Sequence, residues 1–278
     1  MKWVALSLIG MALLSQIACK GQMPKGERPS ERYTAPNGTV YVKILPIQFE
    51  MGSDVSRGGY VSVLLSTYWI QTTEVTNKQF ESVMGKRDRH PESSGDNDPA
   101  TGLSIEQMTS YAEALSKQTK RNFRLPTSAE YEYAARGGYS RLNYPWGDEN
   151  VPVDERALTS LMTIKEKAMP VASFPPNYFG LYDMVGNARE VILDSADRIH
   201  NPNGTARLNN PLFIERGMTP VDGSAQGGSF RDAYPFVWAI FPVLLDDRPE
   251  FFELNGDVGF RLVSSTATLQ KIEVPKLY

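Results

Sequence analysis

The segment Phe174–Glu190, FPPNYFGLYDMVGNARE, restricts this chain more than any other. Proline removes a ladder donor and glycine favours turns, so the run can be neither a regular helix nor a central strand. Its oxygens are spaced so that a tight loop points several of them at one place. Asp183 and Glu190 offer carboxylates, and Gly186 and Ala188 offer backbone carbonyls. Hard donors of this kind suit calcium, which takes roughly six to eight oxygens in irregular geometry. The competing reading is a solvated turn whose acids face water.

The remainder reads as a domain of short elements. Its 19 prolines and 22 glycines are spread along the chain and imply many turns. Thr39–Phe49 and Val61–Ile70 alternate and are rich in β-branched residues, as strands are. Three capping boxes follow, in which a hydroxyl and a residue three positions on satisfy each other's backbone donors. Thr76 with Gln79 opens a helix that stops at Gly85, and Ser104 with Gln107 opens Ile105–Thr119. Thr127 with Glu130 opens a third that ends at Gly137–Gly138. Ile105, Met108, Ala112 and Leu115 form one apolar stripe, read as core. Further short strands are expected around Gly227–Phe230 and Gly259–Val263. The fold class is α+β, in a single domain.

The chain opens with Met1-Lys2, an apolar run from Trp3 to Leu14, and SQIAC. That pattern describes a signal peptide and is too short to span a bilayer, which takes roughly 20 apolar residues. Cys19 resembles the lipidated cysteine of bacterial lipoproteins; ordinary cleavage near Ala18 is the alternative. Residues 20–38 are polar and proline-bearing, expected as a flexible tether. The domain is expected over residues 39–265 and a tail over 266–278. With one cysteine in the chain, intrachain disulfides are excluded. A formal net charge of −3 with scattered basic residues gives no nucleic-acid footprint.

The residues carry little catalytic signal. His90 and His200 are the two histidines, remote in sequence and both in polar loops, so they read as solvated and make no facial triad. Ser229 follows Gly227-Gly228, a pair better suited to positive φ and close backbone approach than to a nucleophile elbow.

Four further blocks accompany the opening loop: RLPTSAEYEYAARGG at Arg124–Gly138, YPWGD at Tyr144–Asp148, QGGSF at Gln226–Phe230 and DVGFRLV at Asp257–Val263. In this order they resemble the formylglycine-generating-enzyme/sulfatase-modifying-factor domain family, from about Val40 to Val263. The resemblance implies a C-type-lectin-like variant fold rich in irregular structure. It places Asp183, Gly186, Ala188 and Glu190 on the ligand positions of a structural calcium. A second family calcium site is not expected, because the insert Val151–Met169 has no asparagine. Family enzymes oxidise a substrate cysteine with two copper-binding cysteines shortly after the GGS block. The corresponding positions here fall near Asp232 and Val237, neither of which replaces a thiolate on Cu(I). The family reaction is therefore not expected.

The pattern GGSFRDAY at Gly227–Tyr234 is similar to gliding-motility and type IX secretion lipoproteins of Bacteroidota. That likeness implies a non-catalytic scaffold on the periplasmic face of the outer membrane, with protein partners in the envelope. A lectin-like glycan- or peptide-binding module and an enzyme of unknown reaction remain as alternatives. The apolar run Phe236–Leu245 is either a buried strand or a partner surface anchored by Phe236, Trp238 and Phe241.

Overall fold

The computed structural model describes residues 29–52, 59–139, 166–194, 207–215, 224–232, 243–244 and 255–274. Strand β1 (Arg32–Thr34) pairs with β2 (Val40–Ile44) through a turn at Gly38. At Leu45-Pro46 the chain leaves that sheet, because proline has no N–H to give a ladder. It re-enters as β3 (Ile47–Gly52), antiparallel to β4 (Tyr60–Leu65). After a corner at Ser66-Thr67 it returns beside β2 as β5 (Tyr68–Gln71). Each of the two long strands expected from alternation is thus two strands in different sheets. Period-two patterning survives such a corner, so the pattern alone does not reveal it.

Three helices follow, each opened by the expected capping box: α1 (Asn77–Met84), α2 (Ile105–Thr119) and α3 (Ser128–Ala135). Gly85 ends α1 at φ 91°, and Lys120 caps α2 in the left-handed region. Between α2 and α3 lies β6 (Phe123–Arg124). Helix α3 is buried on every side.

The later strands complete the sheets. They are β7 (Arg189–Ile192), β8 (Leu208–Asn209), β9 (Pro211–Glu215), β10 (Ser224–Gln226), β11 (Val243–Leu244), β12 (Val258–Gly259), β13 (Val263–Ser264) and β14 (Gln270–Val274). The five-stranded sheet runs β1-β2-β5-β13-β6, the four-stranded sheet β11-β10-β7-β12 and the three-stranded sheet β3-β4-β8. The strand expected at Gly227–Phe230 lies just upstream, as β10. Gly227 (φ 90°) and Gly228 (φ 69°) instead turn the chain, and a Cβ at Gly227 would strike the Tyr131 hydroxyl. The expected strand Gly259–Val263 is divided between β12 and β13.

Two apolar clusters hold these layers. One packs α3 and the Phe179–Leu181 turn on β3 and β4, with Phe49, Val63, Tyr131 and Phe213 at its centre. The other seats α1 and α2 through Phe80, Tyr111, Leu115 and Phe260. There Phe80 stacks on Tyr111 at 5.4 Å, and Phe260 meets Tyr111 edge-on at 5.6 Å. The whole expected stripe of α2 is buried. Asp194 bridges distant segments, accepting the Ser128 N–H at 2.6 Å and the Phe213 N–H at 2.8 Å, while burial pushes its carboxyl up to about 7.

Both expected domain edges move outward. Arg32–Thr34 is a strand and Ala35 is buried, so the expected tether is already folded by that point. The expected tail contains β14, parallel to β9 along its length, with Ile272 in the core. A short strand in a polar setting carries too little alternation to be read from sequence. Cys19 and the anchors Phe236, Trp238 and Phe241 lie outside the described residues. Of the apolar run, Val243 and Leu244 are seen as β11, paired with β10.

Candidate functional site

Successive residues of a strand face opposite ways, and β7 uses this to present two charges to two environments. Glu190 points inward and Arg189 outward. The loop that delivers them turns through positive φ at Asp183 (53°), Gly186 (82°) and Asn187 (57°), which asparagine, aspartate and glycine tolerate best. Backbone bonds from Gly186 to Gly227 and from Phe230 to Asn187, both 2.9 Å, pin it against the glycine turn.

On the inner side, Arg261 grips Glu190 with both arms, Nε to Oε2 at 2.5 Å and Nη2 to Oε1 at 2.7 Å. Both side chains are fully inaccessible. The remaining guanidinium donors reach the carbonyls of Gln71 (3.2 Å) and Tyr182 (2.9 Å), and the Tyr131 hydroxyl lies 3.2 Å from Glu190. Such a bidentate, desolvated pair is the geometry in which arginine binds carboxylate best. Glu74 is buried alongside, accepting the Asn187 side-chain amide at 3.0 Å and the Ala188 N–H at 3.1 Å. Burial, reinforced by Asp183 and Glu190, pushes Glu74 well up. Burial likewise lifts Asp183 to about 6 although it accepts the Ala172 N–H at 2.7 Å. For Arg261 burial works downward, but Glu190 beside it prevails and holds the guanidinium charged.

These contacts bear on the expected calcium. Asp183, Gly186, Ala188 and Glu190 do share one tight loop, which is not a solvated turn. Yet both oxygens of Glu190 belong to Arg261, which supplies the positive charge there. Among the described residues no group of three or more His, Cys, Asp or Glu side chains is arranged to hold a metal. A calcium ion at this loop would share the Glu190 carboxylate with Arg261. Glu74 and Arg261 were not singled out from sequence; Arg261 stands in the DVGFR block, and a buried acid next to a capping box leaves no periodic trace.

On the outer side, Arg189 Nη2 lies 3.1 Å from Asp232 and 3.0 Å from Asp257. Ser229 donates its hydroxyl within this group, 2.8 Å from Asp257 and 3.0 Å from Asp232. Asp232 also accepts the Ser229 N–H at 2.7 Å, closing the turn after the glycine pair. Arg231 is clamped by Glu92. So Asp232, near one position where the resemblance implies a thiol, is held by an arginine and a serine. Val237 lies outside the described residues. His90 also departs from its solvated reading. Its side chain is 14% accessible, and its Nδ1 accepts the Glu92 N–H at 3.3 Å to cap a 3-10 turn at Pro91–Ser93.

The comparisons agree with this architecture. The profile of the sulfatase-modifying factor enzyme 1-like domain matches residues 27–266. A formylglycine-generating enzyme of Thermomonospora curvata is 35% identical over 133 residues, 44% of this chain and 43% of that protein. The inactive C-alpha-formylglycine-generating enzyme 2 of Bos taurus is 34% identical over 134 residues, covering 41% and 44%. A serine/threonine-protein kinase, pkn1, of Chlamydia pneumoniae is 36% identical over 118 residues, 39% of this chain and 17% of the kinase. The match thus spans less than half the length of these relatives. Among solved structures, Treponema denticola variable protein 1 superposes with a TM-score of 0.69 at 21% identity, covering 84% of this chain and 98% of that one. PvdO from Pseudomonas aeruginosa gives 0.66 at 22%, covering 86% and 99%. With the profile spanning most of the sequence and these folds superposing, the chain belongs to the sulfatase-modifying factor enzyme 1-like domain family.

Proposed function

We propose that this protein uses the family fold without thiol oxidation, as a non-catalytic lipoprotein that binds protein partners in a cell-envelope assembly. The observation that carries the reading is Asp232. It stands near a position where the resemblance implies a thiol, its carboxylate is engaged by Arg189 and Ser229, and the chain's one cysteine is far upstream at Cys19. An ion pair cannot bind Cu(I) as two thiolates do, nor carry electrons from a substrate thiol. Inactive relatives of the enzyme are also among the similar proteins. Lipidation at Cys19 supplies the anchor, with the periplasmic face of the outer membrane as its place. The type IX secretion and gliding machinery is the assembly suggested by the GGSFRDAY likeness.

Two measurements test this. Purified protein incubated with copper and a cysteine-containing peptide is expected to give no aldehyde; aldehyde formation overturns the reading. Affinity purification of the full lipoprotein from membranes in mild detergent is expected to recover stoichiometric protein partners. Recovery of the lipoprotein alone across several detergents removes the scaffold role.

A further inference from the structure

The connection from α1 to α2, together with the first turn of α2, encloses an open cleft of about 700 Å³. That lies within the range of roughly 300–1,000 Å³ typical of small-molecule sites. Its chemistry appears once the internal hydrogen bonds are subtracted. Arg87 lines it and has no carboxylate within ion-pair distance among the described residues. Of its five N–H donors, one reaches the Asn77 side chain at 2.7 Å and one the Asp88 carbonyl at 3.2 Å. Arg89, by contrast, is spent on Glu81, Asp96 and the Ser94 carbonyl.

The other lining groups are left as donors too. His90 Nδ1 accepts from the Glu92 N–H, which leaves Nε2 as the ring's donor. The capping box of α2 consumes acceptors: Gln107 Oε1 takes the Ser104 N–H at 2.9 Å, and Ser104 Oγ takes the Gln107 N–H at 3.3 Å. What remains is the Gln107 amide NH₂ and the Ser104 O–H. The start of a 15-residue helix adds its positive dipole end. Asp88 is the one acid in the lining, and it is exposed to water. Arg87 thus lacks an ion-pair partner among the described residues, and the cleft holds more donors than acceptors.

We propose that this cleft binds a small oxyanion, carboxylate or phosphate, with Arg87 as the charge partner and Gln107, Ser104 and His90 as hydrogen-bond donors. The site lies outside both charge clusters of β7 and does not depend on the scaffold reading. Calorimetric titration of the full chain with citrate and, separately, inorganic phosphate tests it. Saturable binding of either anion is expected, and which one binds identifies the source. Gln107→Glu keeps the capping box, since glutamate serves equally at that position, but sets a negative charge at the cleft. It is expected to leave the melting temperature unchanged and to weaken binding about tenfold or more; Arg87→Gln should weaken it similarly. Should Arg87→Gln fail to fold, Gln107→Glu decides alone. No binding of either anion, or undiminished binding in a folded variant, overturns the proposal.

Discussion

Arg189 and Glu190 are chain neighbours with opposite surroundings. Glu190 and Arg261 form a sealed pair with no route to water, fixed by Tyr131 and by carbonyls from two other segments. Arg189 sits at the rim, about a fifth exposed, among Ser229, Asp232 and Asp257. One cluster joins the sheet, the loop and α3; the other gathers the turn after the glycine pair around Arg189. The contrast shows two clusters held separately, since no described hydrogen bond joins the side-chain partners of one arginine to those of the other.

The largest expected effect comes from the sealed pair. Arg261→Met strands a buried carboxylate and should cost about 3–5 kcal/mol, read by urea denaturation. A loss under about 1 kcal/mol would mean the interior tolerates Glu190 alone, and the contrast would fail.

A pH titration comes next. Burial raises both Glu132 and Asp194 to about 7, so the fold binds protons that the unfolded chain releases at its ordinary carboxylate values. Their contribution is therefore full below those ordinary values and is lost as pH rises through about 7. Stability should fall by roughly a few kcal/mol between about pH 5 and pH 8. A flat melting temperature across that window would show that both stay ionised.

The rim should respond less. Arg189→Ala is expected to cost about 1 kcal/mol, because Ser229 still donates to Asp257 and Asp232. A cost equal to that of Arg261→Met would erase the distinction between the faces. Smallest of all is calcium. With Arg261 on both oxygens of Glu190, chelator and added calcium should leave the melting temperature unchanged. A rise that Asp183→Ala abolishes would make the inner cluster a calcium site.

Local signals were legible and their assembly was not. All three capping boxes open helices where the sequence places them, because hydroxyl and acceptor act within one turn. The glycine pair at Gly227-Gly228 has the positive φ expected of it. Strand ends were less legible, since Leu45-Pro46 and Ser66-Thr67 change sheets without interrupting the alternation. The loop Asp183–Glu190 was recognised as one site, but its partners Glu74 and Arg261 come from positions far away in sequence. Nothing periodic links them. His90, read as a surface residue, packs against Gly256, a contact set by tertiary folding alone.

The pairing of β14 with β9 has a practical corollary. The family match ends at residue 266, yet Gln270–Val274 covers the edge of Pro211–Glu215 and helps seal Phe213. A recombinant fragment trimmed to the homology boundary would bare a row of unsatisfied amides and carbonyls beside apolar side chains, a template for intermolecular association. Expression work on this chain should keep residues through at least Val274.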